Sequence, residues 1–161
     1  NFKSIRLECE FNYSYINNEA VKVASGEYLL FLNNDTEVMS ADFMEYMLGY
    51  ARLNHIGCVG IKLLYPDKLV QHAGVVLGYG GVAGHIYVAV SYNDNGLFGR
   101  LVMPYNYTAV TAACLMIKKS KFEDANGFDE KLKVALNDVD LNLKILENNN
   151  YKINLRNLLL N

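Results

Sequence analysis

Two short clusters carry the side chains best placed to do chemistry. The first, Asn33-Asn34-Asp35-Thr36-Glu37, abruptly ends the apolar run Tyr28-Leu29-Leu30-Phe31-Leu32. Asp35 offers a hard anionic oxygen suited to Mg²⁺ or Mn²⁺, whereas Asn33 offers only a neutral carbonyl oxygen or an amide donor. An Asx-type turn after a strand would use the same residues with no ligand at all. The second cluster is Asn137-Asp138-Val139-Asp140. At about 100° per helical residue, Asp138 and Asp140 point about 200° apart, so only one faces a given pocket. A structural role competes here too, because Asn137 is a good N-cap and acids in a first turn are favoured by the helix dipole.

Other polar residues are less specific. His72 lies in Gln71-His72-Ala73-Gly74, close to the glycines between Gly78 and Gly84, and could donate to a phosphate or a hydroxyl. A lone histidine near a turn is more often structural, and His85 carries a weaker signal still. Glycines at this density permit close backbone approach to a ligand, but they occur equally in mobile loops. Gly78-Tyr79-Gly80-Gly81 fits neither the P-loop nor the dinucleotide spacing. Arg100 and Lys62 are single basic residues that could meet phosphate.

The elements that must position these groups follow from hydrophobic patterning. Tyr28 to Leu32, introduced by Gly26, reads as a strand buried on both faces, with polar groups at its carboxyl end where open α/β sheets bind ligands. Before it, Phe2 to Cys9 alternates weakly as a strand, Asn12 to Glu19 is polar, and Ala20 to Ala24 suggests a short helix. Ser40 caps a helix to about Leu53, with Phe43, Met44, Met47, Leu48 and Ala51 as its apolar stripe. Gly57 to Leu64 is a second buried strand, and Pro66-Asp67-Lys68 turns into Leu69 to Leu77. Ser91 to Arg100 is a loop. Thr111 to Lys118 is a third strand, and Ser120 caps a helical turn ending near Gly127. Asn137 opens a largely buried helix ended by Asn148-Asn149-Asn150, and Tyr151 to Leu155 returns as a strand.

With 161 residues, 52% hydrophobic and 20% charged, and no internal repeat or linker, the chain reads as one α/β domain spanning 1–161. A net charge of −2 without Lys/Arg clusters argues against nucleic acid as a partner. Cys9, Cys58 and Cys114 are too few and scattered for a disulfide framework or zinc site, which suits a reducing cytoplasm. The longest apolar stretch, near Ala109 to Ile117, is far shorter than the roughly 20 residues a spanning helix needs. Asn1 is not an initiator Met, and Leu158-Leu159-Leu160-Asn161 has no visible stop signal, so both ends read as cut.

The order of the pieces resembles the family-two glycosyltransferases of the GT-A fold, in particular the bacterial enzymes that build surface polysaccharides. The resemblance rests on Asn12-Tyr13-Ser14 with Ile16-Asn17-Asn18, Ala24-Ser25-Gly26-Glu27-Tyr28, Leu32-Asn33-Asn34-Asp35-Thr36-Glu37, Gln71-His72-Ala73-Gly74, Gly127-Phe128-Asp129-Glu130 and Asn137-Asp138-Val139-Asp140-Leu141. It implies a mixed sheet flanked by helices, incomplete at its N-terminus because the strands that bind the nucleotide base do not precede Asn1. The family's Asp-x-Asp element maps onto Asn33-Asn34-Asp35, so that Asp35 holds the Mn²⁺ or Mg²⁺ and all three residues face the donor. Its Glu-Asp element maps onto Asn137-Asp138, with Asp138 as the base. His72 and Asp140 become candidate substrate contacts.

The implied activity is transfer of a sugar from a nucleotide-diphosphate donor to a saccharide or lipid-linked saccharide, with inversion, in the cytoplasm or at the inner face of the membrane; the piece from Asn1 to Asn161 alone is expected to fold but to transfer no sugar. The exposed sheet edge left by the missing strands would favour self-association. Asn33 and Asn137 support a competing reading, a non-catalytic carbohydrate-binding or scaffold domain with the same fold. A metal-dependent phosphohydrolase would need convergent carboxylates or histidines that the sequence does not offer.

Overall fold

The computed structural model describes residues 2–149 and 151–160, with side chains described except at 148–149 and 156–160. Asn1, Asn150 and Asn161 lie outside the described residues, and with them part of the Asn148-Asn149-Asn150 terminator and both chain ends. The elements run α1 (Tyr13–Val23), β1 (Tyr28–Leu32), α2 (Phe43–Ala51), β2 (Ile56–Leu64), β3 (Val70–His72), β4 (Val75–Leu77), β5 (Ala83–His85), β6 (Tyr105–Tyr107), β7 (Cys114–Lys118), α3 (Lys119–Asp124), α4 (Asn137–Asn149) and β8 (Lys152–Leu160).

The main sheet has the order β1-β7-β2-β8-β6, with β3 added to β2. β7 is antiparallel to both β1 and β2, and β8 is parallel to β2 and antiparallel to β6. Strands β1, β2 and β8 therefore share one direction. Their carboxyl ends and the amino end of β7 make a common edge, where Leu32 pairs with Cys114 and Gly60 with Leu115. Among the described residues β1 has β7 on one side and no strand on the other.

Burial on both faces explains the near-continuous apolar strands. Every residue of β2 is buried. Along β7 the side chains alternate: Cys114 and Met116 pack with Phe43 and Met47 of α2, while Leu115 and Ile117 meet Phe31, Phe122, Leu141 and Ile145 on the other face. Cys58 and Cys114 are buried free thiols.

Several boundaries differ from the sequence reading. Residues 2–9 form no strand; nearly all are exposed, and their alternating polar residues find no partner strand. The polar stretch after Asn12 is helical from Tyr13, with Asn12 as N-cap accepting the Tyr15 N–H at 3.1 Å. Its inward face is polar because it grips the segment before α4. Ser14 Oγ donates to the Leu132 carbonyl at 2.7 Å, and Asn18 both donates to and accepts from the Phe128 backbone at 3.0 Å.

Helix α2 starts at Phe43 with Asp42 in the cap position, not Ser40, and Met44 is exposed, so the stripe narrows to Phe43, Met47 and Ala51 with Leu48 packed partly buried beside them. Ser120 lies inside α3. The segment from Leu69 to Leu77 breaks into β3 and β4 at Gly74, which has φ +105° and lies against Tyr107; a Cβ there would sit 2.5 Å from that ring. The chain then leaves the main sheet for the β4–β5 hairpin, whose turn holds the glycines, three with positive φ and open space around them. No helix among the described residues is long and apolar enough to cross a membrane.

Candidate functional site

Four adjoining hollows form a cleft along the common strand edge. One, of about 160 Å³, is lined by Asn33, Asp35, Thr36, Gln71 and Ala113 among others. The next, of about 120 Å³, shares Asn33 and Ala113 with it and adds Tyr13, Thr111, Ala112, Asn137 and Asp138. Asp35 and Asp138 thus lie on one cleft at the carboxyl edge of the sheet. Two further hollows of about 280 Å³ continue it, one toward Gln71, His72, His85 and Val88, the other between His85, Val134, Leu136 and Asp138.

At the end of β1 the chain turns sharply, because the Asn33 N–H donates to the Ala113 carbonyl at 2.9 Å and Thr36 Oγ1 to the Asn33 carbonyl at 2.6 Å. Asn33 is half-buried, while Asn34 and Asp35 are exposed. Among the described residues no three His, Cys, Asp or Glu side chains converge as a metal cage. A single carboxylate beside neutral amide oxygens is a hard donor set. It fits Mg²⁺ or Mn²⁺ where phosphate oxygens and water complete the shell.

Asp138 is half-buried at the start of α4. Its Oδ2 accepts the Ala112 N–H at 3.2 Å and its Oδ1 the Val139 N–H at 2.8 Å. Asn137 is buried; its Oδ1 accepts the Asp138 N–H at 2.8 Å and its Nδ2 reaches the Leu132 carbonyl at 3.4 Å. An amide serves both bonds there, whereas a carboxylate would meet the carbonyl without a donor.

Asn142, one turn further on and fully buried, donates to the Val110 and Asp138 carbonyls at 3.2 and 2.6 Å. It also accepts the Val110 N–H at 3.4 Å. Tyr13 donates to the Ala112 carbonyl at 2.9 Å, and burial together with the Asp138 charge pushes its phenol above the ordinary range.

The other two candidates stand differently. Asp140 is turned to the far side of α4, as the helical spacing requires; Lys144 Nζ lies 2.7 Å from its Oδ2 and also donates to the Gly127 carbonyl. It lines none of these four hollows. His72 lines the cleft but is fully buried, with both ring nitrogens facing protein atoms: Nδ1 lies 2.8 Å from His85 Nδ1, and Nε2 accepts the Thr111 N–H at 3.4 Å. Sequence reasoning singled out neither Tyr13 nor Asn142, and it gave His85 less weight than His72. Only Tyr13 had a local signal, its place in Asn12-Tyr13-Ser14.

No family model matches the chain. It is 48% identical over 136 residues to uncharacterized protein y4gI of Sinorhizobium fredii (strain NBRC 101917 / NGR234), covering 84% of this chain and 15% of that protein. It is 43% identical over 136 residues to O-antigen biosynthesis protein RfbC of Myxococcus xanthus, covering 84% of this chain and 11% of that protein. The chain therefore spans only a small part of these curated relatives. Its fold is similar to that in a crystal structure of GalNAc-T7 with UDP, GalNAc and Mn²⁺, with TM-score 0.73 and 12% identity over 97% of this chain and 31% of that one. The fold is GT-A-like.

Proposed function

We propose that the chain, read as one domain over 1–161, is part of the catalytic domain of a glycosyltransferase. It moves a sugar from a nucleotide-diphosphate donor to a saccharide or lipid-linked saccharide acceptor in bacterial surface-polysaccharide synthesis. The observation that carries this reading is the placement of Asp35 and Asp138, from two different elements, on one cleft at the strand edge of a GT-A-like sheet. The likeness to a protein named for O-antigen biosynthesis and to a transferase fold seen with UDP, GalNAc and Mn²⁺ supports it. In this reading the reaction belongs in the cytoplasm or at the inner face of the membrane.

In this reading Asp35 holds a Mn²⁺ or Mg²⁺ together with the donor diphosphate, and Asn33 and Asn34 face the donor. The metal, when bound, neutralises charge on the departing diphosphate. Asp138 accepts the proton of the attacking hydroxyl. Its two oxygens each accept one backbone N–H and keep a further lone pair for that proton. Attack opposite the leaving group inverts the anomeric carbon. Asn33, an amide where a second carboxylate would strengthen the metal site, favours the second reading, a domain that binds saccharide without transferring it.

Titration with Mn²⁺ and uridine diphosphate, alone and together, tests the donor site. One carboxylate predicts weak binding of metal alone, joint binding of metal and diphosphate, and loss of the joint binding in Asp35→Asn. Joint binding that survives Asp35→Asn would refute the assignment. Sugar transfer by the intact protein, of which this chain reads as one part, separates the enzyme from the binding domain.

A further inference from the structure

His72 and His85 share a single proton position. Their Nδ1 atoms are 2.8 Å apart, with ring centroids 4.9 Å apart and planes at 78°. One of the two nitrogens must donate and the other accept. His72 Nε2 faces the Thr111 N–H and therefore accepts, which places the His72 proton on Nδ1. His85 Nδ1 accepts that proton, leaving the proton of His85 on Nε2. Burial and the neighbouring His85 hold His72 well below the usual imidazole range, so it stays neutral at physiological pH.

The placement of the pair gives this tautomer a use. His85 stands on the wall shared by the two larger hollows, one of which contains Asp138. The Asp138 charge acts on the His85 ring, so the two are electrostatic neighbours. His72 and Asp138 are fixed to consecutive backbone amides, those of Thr111 and Ala112. Donor and base are therefore held in one frame. Around them Val75, Ala83 and Val134 provide apolar wall of the kind that packs against the C–H face of a pyranose ring.

Resting on the glycosyltransferase reading for the identity of the ligand, we propose that His85 is an acceptor-binding residue. Its Nε2–H donates to a saccharide hydroxyl beside the one that Asp138 deprotonates, and His72 is the positioning residue that sets the His85 tautomer. His85 keeps its proton throughout. The ligand class is a saccharide with a free hydroxyl next to the reacting one, because a site built to donate to a hydroxyl discriminates against an analogue that lacks it.

The protein has three histidines, so ¹⁵N-histidine spectra of the wild type and of His72→Asn, His72→Leu and His85→Phe are assignable by comparison. The expected result is protonation of His72 at Nδ1 and of His85 at Nε2. His72→Asn, whose amide N–H reaches the Nδ1 position, keeps the His85 tautomer, and His72→Leu mixes it. The probes are the methyl pyranosides of glucose, galactose, mannose and rhamnose. At least one moves the His85 Nε2 resonance and binds about three- to tenfold more weakly to His85→Phe, the net loss of one hydrogen bond. His72→Leu weakens it likewise, and His72→Asn restores it.

Protonation of His85 at Nδ1 overturns the proposal. So does glycoside binding unchanged in His85→Phe, or no response of His85 to any of the four probes. Should His72→Leu fail to fold, His72→Asn and His85→Phe still decide. Joint binding of Mn²⁺ and uridine diphosphate is measured alongside in the intact protein of which this chain reads as one part. Its failure with glycoside bound at His85 sinks the glycosyltransferase reading and leaves a saccharide site, and the converse sinks this proposal alone.

Discussion

Removing the Asn142 side chain should loosen the attachment of Asp138 to the strand edge, at a cost the structure allows one to work out. Asn142 has 0% exposure and bonds both the N–H and the C=O of Val110, besides the Asp138 carbonyl. Asn142→Ala leaves the two Val110 groups without these partners, each at about 1–3 kcal/mol, so the expected loss of stability is about 2–6 kcal/mol. Urea unfolding should show the loss as a lower midpoint at unchanged slope. Thermal melting should fall by about 10 °C, at roughly 2–4 °C per kcal/mol for a chain of this size.

Asn142→Asp provides the control. The introduced carboxyl replaces a donor with an oxygen facing two carbonyls, and burial together with those carbonyls raises its folded pKa above the unfolded value of about 3.9. Its penalty is therefore smallest below about pH 4 and grows as pH rises, by up to about 1.4 kcal/mol per pH unit, whereas the alanine penalty is flat with pH. A loss below about 1 kcal/mol for Asn142→Ala, or an Asn142→Asp penalty that does not grow with pH, would refute the reasoning.

Other outcomes follow from the same geometry. In the intact protein, Asp138→Asn should lower sugar transfer by about 10²–10⁴-fold, measured as turnover, while joint binding of Mn²⁺ and uridine diphosphate is retained; normal turnover would leave Asp138 a mere helix-terminal carboxylate. Gly74→Ala should cost about 2–4 kcal/mol in urea unfolding, since it combines φ +105° with a Cβ 2.5 Å from the Tyr107 ring. Because His72 is held below the unfolded histidine value, it contributes stability above about pH 6.5 that is lost as pH falls, by up to about 1.4 kcal/mol per pH unit. Urea midpoints at pH 7.5 and 5.5 should therefore diverge less in His72→Asn than in the wild type.

Local pattern was enough to reveal β2 and β7, because a segment covered on both faces must be apolar nearly throughout, and to reveal β1 and α4 from a short apolar run and from apolar residues at helical spacing. It was also enough to show that one polar cluster ends a strand and another opens a helix. The start of α1 was hidden because its buried face is polar. Ser14 and Asn18 are satisfied by carbonyls and an N–H 110 or more residues away, so no apolar period marks the helix. The short strands β5 and β6 have too few residues to show any period, and they exist because the β4 and β8 edges were there to be paired.

The amino-acid sequence by itself determined which segments could be buried, since transfer from water depends on each side chain's own chemistry. It also placed acids at the end of β1 and the start of α4. Only the tertiary structure decided that Asp35 and Asp138 line adjoining hollows, that Asp140 turns away to Lys144, and that the His72 and His85 rings meet at their Nδ1 atoms. Those outcomes depend on hydrogen bonds and packing between elements far apart in the chain. Their geometry exists only once the sheet and helices have packed against one another.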